Sequence, residues 1–125
     1  MAKIITVLSG KGGVGKSTFC VNVSRALSRK GKSVLLIDGD ISLRSLDLLL
    51  GLDGMVLYDW SDVLEERCDA DKARLFFDDN LHLLPAPLEH PENLNTDSFK
   101  NLFLFAIIIC LWYNFHGEGL MWKYC

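Results

Sequence analysis

A glycine-rich loop close to the amino terminus constrains the fold more than any other feature of this chain. Residues 10–17 read Gly-Lys-Gly-Gly-Val-Gly-Lys-Ser and follow an apolar, β-branched run at residues 4–8. Such a run predicts a strand that is buried on both faces of a parallel sheet. From Lys16 onward, apolar residues recur at helical spacing as far as Gly31, a residue type that commonly ends helices. The loop therefore joins a predicted strand to a predicted helix.

The segments after this loop predict an α/β fold. A second short apolar run, residues 33–37, closes on Asp38, so the order strand, loop, helix, strand forms a βαβ unit with a right-handed crossover. We expect a doubly wound parallel sheet. Later segments add predicted elements in chain order: short helices at residues 46–50, 57–66 and 71–77, a third strand at 81–84, and a loop with three prolines at 85–95.

Length and composition bound the number of domains and the kinds of partner. The 125 residues, 50% of them hydrophobic, predict one folded domain with its own core. A net charge of -3 and the lack of a basic stripe predict no nucleic-acid partner. Four cysteines without C-x-x-C spacing argue against a metal cluster and for a reducing compartment. The first nine residues lack a signal-peptide pattern, so we expect a cytoplasmic protein.

The loop matches the phosphate-binding pattern G-x-x-x-x-G-K-[ST], in the context that the pattern requires. Its glycines let successive backbone N–H groups converge on phosphate oxygens, and the start of the helix adds a favourable dipole. Lys16 supplies a positive charge, and the Ser17 hydroxyl can bind Mg²⁺. The alternative is a glycine-rich turn with an incidental lysine. The candidate nucleotide-binding residues are Gly10, Lys11, Gly12, Gly13, Val14, Gly15, Lys16, Ser17 and Thr18.

Residues 11–18 read KGGVGKST, a rarer pattern in which a lysine directly follows the first glycine. Here the chain resembles the deviant Walker A ATPases, the family that includes MinD, ParA, the nitrogenase iron protein and the Mrp-type iron–sulfur carriers. The resemblance implies a P-loop NTPase fold with ATP and Mg²⁺ as cofactors. It also implies an ATP-dependent homodimer in which Lys11 reaches the partner's phosphates. Without the resemblance, Lys11 would be a solvated loop charge.

The second motif of this family is matched by Asp-Gly-Asp at residues 38–40, directly after the second strand. The resemblance implies that Asp40 orients the attacking water and that Asp38 contributes to the surroundings of Mg²⁺ near Ser17. The alternative is that both carboxylates only cap the loop after the strand. The candidate catalytic residues are Lys11, Lys16 and Asp40, and the candidate metal ligands are Ser17 and Asp38.

Three later segments, at residues 41–51, 56–65 and 80–87, resemble the MinD branch of the family, so the resemblance covers about residues 1–101. It implies ATP hydrolysis, a role in placing the division septum, and division-site regulators and the membrane surface as partners. The chain departs from the MinD pattern at Ser42, usually a glycine, and at Ser45, usually an asparagine. The paired cysteines expected of Mrp-type carriers are not visible.

The carboxyl-terminal residues 102–125 depart from the family. Residues 102–113 are twelve consecutive apolar residues, fewer than the roughly 20 of a membrane span, so we expect a buried element. If residues 107–109 form the family's Walker B strand, Cys110 stands at the aspartate's place. We expect a truncated P-loop domain over residues 1–101 followed by a divergent hydrophobic tail, out of frame or that of a short paralogue. An ATPase and an ATP-binding module without hydrolysis both remain open.

Overall fold

The structure is a computed structural model that describes residues 3–8, 15–41, 44–89 and 106–112, with residues 8 and 106–112 described by their backbone only. Helices and strands alternate along these ranges. In chain order they are β1 (Lys3–Leu8), α1 (Lys16–Arg29), β2 (Ser33–Asp38), α2 (Leu46–Leu50), a 3₁₀ turn (Asp53–Met55), α3 (Trp60–Leu64), α4 (Ala70–Ala73), β3 (Leu75–Phe76), β4 (Leu81–Leu84) and β5 (Ala106–Trp112). Among the helices of these ranges, none has the length and apolar character needed to cross a bilayer.

Most elements lie where the sequence patterns predict them. The bounds of α2 and β4 coincide with the predicted segments, α1 begins at Lys16, and β2 is one residue longer than predicted. Strands β2 and β4 pair in parallel, with Val34 opposite Leu81 and Ile37 opposite Leu84. The predicted α/β class with a parallel pair is therefore confirmed in this part of the chain.

The order of the five strands is β1-β5-β2-β4-β3, and it corrects the expectation of a wholly parallel sheet. Strand β5 lies between β1 and β2 and runs antiparallel to both. Its first residue, Ala106, pairs with Leu8 at the carboxyl end of β1. Strand β4 also ends at that edge of the sheet, and this common edge is consistent with the antiparallel direction of β5, because a parallel strand starts at the opposite edge.

The core has two layers, one on each face of the sheet. On one face, Val34 and Leu36 of β2 pack with Leu81 and Leu83 of β4 against α1 and α2. The other face holds a second cluster, which consists of Leu35, Ile37, Ile41, Trp60, Ala73, Leu84 and Ala86. Helices therefore cover both faces of β2 and β4, as a doubly wound sheet requires.

Strand β1 is not buried on both faces, contrary to prediction. Ile4 is 52% exposed and Ile5 is 40% exposed, while Val7 packs on the α1 side of the core. The reason is topological. Among the described strands β1 pairs with β5 alone, so it forms the edge of the sheet instead of its centre.

The two predicted helices at residues 57–66 and 71–77 are shorter than expected. Helix α3 starts only at Trp60 because Asp59 and Asp62 form a capping box. Asp59 Oδ1 accepts the Asp62 N–H at 3.3 Å, and the Asp59 N–H donates to Asp62 Oδ2 at 2.9 Å. Helix α4 ends at Ala73, and after Arg74 the residues Leu75 and Phe76 form β3 against β4. The backbone of Leu75 and Phe76 therefore pairs with β4 instead of forming the hydrogen bonds of the predicted helix.

Candidate functional site

The described part of the phosphate-loop motif lies at the start of α1. Gly15 is the N-cap residue and has a φ of 87°, a left-handed conformation that glycine adopts without strain. Its carbonyl oxygen accepts the Phe19 N–H at 2.9 Å, and the helix continues for 14 residues. Thr18 is exposed beside it. The predicted binding residues Gly10, Lys11, Gly12, Gly13 and Val14 lie outside the described residues.

Lys16 and Asp40, two of the predicted catalytic residues, lie close together. Lys16 Nζ is 3.9 Å from Asp40 Oδ2, and the two side chains are only 10% and 7% exposed. Burial of a charged group is costly unless an opposite charge lies nearby. The contact therefore holds the lysine ammonium at the carboxyl end of β2, next to the first turn of α1.

Asp38, a predicted metal ligand, is 1% exposed at the end of β2. Its Oδ1 accepts the Asp40 N–H at 3.0 Å and its Oδ2 accepts the Leu46 N–H at 3.3 Å. Burial raises the pKa of this carboxyl to about 6, although the two N–H groups oppose the rise. The carboxylate thus caps the loop after β2. Each carboxylate oxygen still has a lone pair that can accept a hydrogen bond from a metal-bound water.

Helix α3 holds the same strand end from the other face of the sheet. Trp60 Nε1 donates a hydrogen bond of 2.8 Å to the carbonyl oxygen of Asp38, and the indole is 5% exposed. The backbone of Asp38 is therefore fixed by α3 while its carboxylate is fixed by α2. Sequence reasoning did not select Trp60 as a site residue, because the pattern around it predicts only a helix.

Ser17, the other predicted metal ligand, contacts the residue before α2. Its Oγ lies 2.7 Å from Ser45 Oγ. In the sequence, Ser45 stands out only as a departure from the family pattern. The hydrogen bond joins residues 28 positions apart. No local pattern signals a contact over that separation.

The loop between β2 and α2 has an unusual backbone at Arg44. Arg44 has a φ of 40°, which non-glycine residues rarely adopt. Its N–H donates to the Asp40 carbonyl oxygen at 2.9 Å, and its Nε lies 3.3 Å from Asp47 Oδ2. Both side chains are largely buried. The motifs in the sequence do not indicate this Arg44–Asp47 ion pair, which holds the loop between β2 and α2.

The donor set of this site fits a magnesium–phosphate group. The Ser17 hydroxyl and the Asp38 and Asp40 carboxylates are hard oxygen ligands of the kind that Mg²⁺ prefers. Within the described ranges, no group of three or more His, Cys, Asp or Glu side chains could hold a metal alone. Mg²⁺ usually keeps water and phosphate ligands beside one or two protein groups, so this sparse set is suitable.

Cys20 lies one turn after Lys16 but has no chemical role here. It is fully buried, and burial raises the pKa of its thiol to about 11. A thiol with so high a pKa is not ionised at neutral pH and is a poor nucleophile. Cys20 is therefore a residue of the hydrophobic core.

Comparisons with known proteins identify the family. A family model described as "ParA: NUBPL iron-transfer P-loop NTPase" matches residues 1–74. The septum site-determining protein MinD of Synechocystis is 48% identical over 121 residues, which cover 88% of this chain and 45% of that protein. MinD of Bacillus subtilis is 47% identical over the same shares of both proteins. The chain thus spans less than half the length of these curated relatives.

Solved structures of MinD proteins share the fold. The MinC:MinD cell division protein complex of Aquifex aeolicus is 51% identical with a TM-score of 0.59, covering 63% of this chain and 34% of that one. MinD of Pyrococcus horikoshii complexed with Mg-ADP is 37% identical with the same TM-score of 0.59, covering 66% and 34%. The glycine loop, the helix that follows it and these matches together show that the chain belongs to the ParA and MinD family of P-loop NTPases.

Proposed function

We propose that this chain binds ATP with Mg²⁺ through residues 10–18 and acts as a MinD-type ATPase in placing the division septum. The observation that carries the proposal is the approach of Lys16 Nζ to Asp40 Oδ2, at 3.9 Å, beside the first turn of α1. It gathers a cation, a carboxylate and the positive end of a helix at one edge of the sheet. The MinD of Pyrococcus horikoshii was solved with Mg-ADP, which supports the same ligand class here.

Each residue of the site has a role in this proposal. Lys16 and the N–H groups at the start of α1 bind the phosphates and neutralise their charge. Ser17 and Asp38 hold Mg²⁺, which supplies charge stabilisation at the phosphoryl oxygens when bound. Asp40 orients the attacking water, since phosphoryl transfer depends on positioning more than on covalent help. Lys11 reaches the phosphates of a second copy in the proposed homodimer.

The wider biology of the relatives belongs to the same proposal. The Aquifex structure is a MinC:MinD complex, so a division-site regulator is the partner class we propose for this chain. We also propose a cytoplasmic protein that associates with the membrane surface together with its longer relatives. A nucleic-acid partner is not part of the proposal, because the net charge is -3.

The second candidate function is an ATP-binding module that does not hydrolyse ATP. The direction of β5 favours it. Cys110, expected at the place of the Walker B aspartate, instead pairs with Ile4 and Leu35, away from the carboxyl ends of β1 and β2. The β5 residues at that edge are Ala106 and Ile107, and neither has a carboxylate. Cys110 therefore does not lie where the Walker B aspartate was expected, and β5 offers no carboxylate to support Mg²⁺ at this edge.

Calorimetric titration of the full chain with Mg-ATP tests the proposal. Lys16→Ala should weaken binding by more than about tenfold, because a charge-assisted contact to phosphate is lost. Lys30→Ala is the matched control, since Lys30 is an exposed lysine at the other end of α1. Equal affinities for wild type and Lys16→Ala would contradict the proposed site. Phosphate release above the Lys16→Ala background then separates the ATPase from the binding module.

A further inference from the structure

We infer that Ser45 is a positioning residue for Ser17, and that its Oγ accepts a hydrogen bond from the Ser17 hydroxyl when that hydroxyl oxygen binds Mg²⁺. The inference rests on the proposed function, because it concerns the metal of the same site. Its structural basis is the distance of 2.7 Å between the two Oγ atoms. That distance is normal for a hydrogen bond between two hydroxyl groups.

The chemistry of a metal-bound serine requires such an acceptor. A serine hydroxyl has one proton and two lone pairs, so an oxygen that gives a lone pair to a cation directs its proton elsewhere. The positive charge of the metal makes that proton a stronger donor. The group that accepts this hydrogen bond fixes the rotation of the hydroxyl about the Cβ–Oγ bond. It therefore also fixes the direction of the lone pairs of Oγ. Ser45 Oγ occupies this place beside Ser17.

Helix α2 leaves the Ser45 hydroxyl available for this contact. Ser45 is the N-cap residue of α2, a position where a serine side chain usually accepts an N–H group of the first turn. Here its side chain makes no cap hydrogen bond. Asp38 Oδ2 accepts the Leu46 N–H instead, at 3.3 Å. Ser45 therefore directs its hydroxyl to α1 and not to its own helix.

The loop that carries Ser45 is held in place on both sides. Before it, the left-handed Arg44 is fixed by its N–H bond of 2.9 Å to the Asp40 carbonyl oxygen. After it, the Ser45 carbonyl oxygen accepts the Leu49 N–H at 3.0 Å. A rare backbone conformation persists only where its surroundings hold it, and such residues concentrate at functional sites. The backbone thus fixes the direction from Ser45 to Ser17.

The test measures how much Mg²⁺ improves ADP binding. The affinity of the full chain for ADP is determined by calorimetry once with Mg²⁺ and once with EDTA. The dissociation constant in EDTA divided by that with Mg²⁺ is the ratio that reports the metal contribution. Ser45→Ala should lower this ratio by about tenfold, the lower end of the effect of removing a partner of a metal ligand. The affinity in EDTA should not change.

Two sets of variants separate positioning from folding. Ser24→Ala is a matched control, because Ser24 is a buried serine of α1 whose Oγ has no hydrogen-bond partner among the described residues. It should leave both affinities unchanged. The second set is Ser45→Thr and Ser45→Val. The threonine and valine side chains have nearly the same shape, and only threonine keeps a hydroxyl. The threonine variant should retain the ratio, and the valine variant should lose it.

The outcomes are distinguishable. A ratio unchanged in Ser45→Ala and Ser45→Val would overturn the inference while leaving the proposed nucleotide site intact. Equal losses of affinity with Mg²⁺ and with EDTA would also overturn it, because they indicate a structural role only. A wild-type chain that binds no ADP under either condition would refute the proposed function itself, and the inference with it.

Discussion

Replacing Trp60 with phenylalanine removes one hydrogen bond at the end of β2 and keeps most of the packing around it. Trp60 is 5% exposed, and its Nε1 donates to the Asp38 carbonyl oxygen at 2.8 Å. Leaving a buried acceptor unsatisfied costs about 1–3 kcal/mol. The smaller ring also removes buried apolar atoms, at about 0.8 kcal/mol for each CH₂ equivalent. We therefore expect the free energy of unfolding to fall by about 2–4 kcal/mol.

Urea denaturation followed by circular dichroism measures this loss. A slope of about 2 kcal/mol per molar urea, the middle of the usual range for small proteins, converts the expected change into a midpoint lowered by about 1–2 M. Tyr58→Phe is the control, because it removes a polar atom from an aromatic side chain that is 40% exposed in the same segment. The control midpoint should stay close to that of wild type.

The result also tests the link between α3 and the site. Because Trp60 fixes the backbone of Asp38, the variant should weaken Mg-ADP binding as well as stability. A midpoint equal to that of wild type would refute the reasoning that this hydrogen bond anchors the end of β2. It would mean that the α3 packing alone holds the strand.

Two further predictions concern pH and association. Burial, helped by the nearby Arg74 cation, lowers the pKa of His82 below its ordinary value of 6.5, so the folded chain binds fewer protons than the unfolded one. Its contribution to stability is therefore complete above pH 6.5 and is lost as the pH falls. His82→Gln should flatten this decline in urea midpoints measured from pH 7.5 to 5; a slope identical to that of wild type would contradict it. Asp38, with a raised pKa, changes stability in the opposite direction, and comparing the two proteins cancels its effect. Exposed edge strands pair with other chains, so Ile4→Lys, at a side chain 52% exposed on β1, should reduce self-association in sedimentation velocity and binding of a hydrophobic dye. Unchanged self-association of the Ile4→Lys variant would contradict the prediction that β1 is the surface through which copies of the chain associate.

Several site residues could be predicted from the sequence and others could not. Lys16 and Ser17 follow from the spacing of the phosphate-loop motif, and Asp38 and Asp40 follow from the family resemblance. The structure places Lys16 beside Asp40. Their chemical roles stay predictions. Ser45 has no such motif, because its contact with Ser17 depends on how α2 packs against α1.

The sequence by itself determined the elements that depend on local patterns. Helix α1 begins after Gly15 because that glycine accepts a φ of 87° and the apolar residues behind it repeat at helical spacing. Strands β2 and β4 are short apolar runs between turn signals, and they form where predicted. These features need information from only a few neighbouring residues.

Only the tertiary structure decided which strands meet and in which direction. The apolar pattern around β5 predicts a buried element but specifies no strand direction, so it does not distinguish a parallel partner of β1 from the antiparallel one observed. The same pairing moves β1 to the edge and exposes Ile4, although its run predicts burial on both faces. At residues 75–76, pairing with β4 satisfied backbone groups that a predicted helix would have satisfied internally. Strand pairing depends on residues far apart in the chain, and local periodicity does not contain that information.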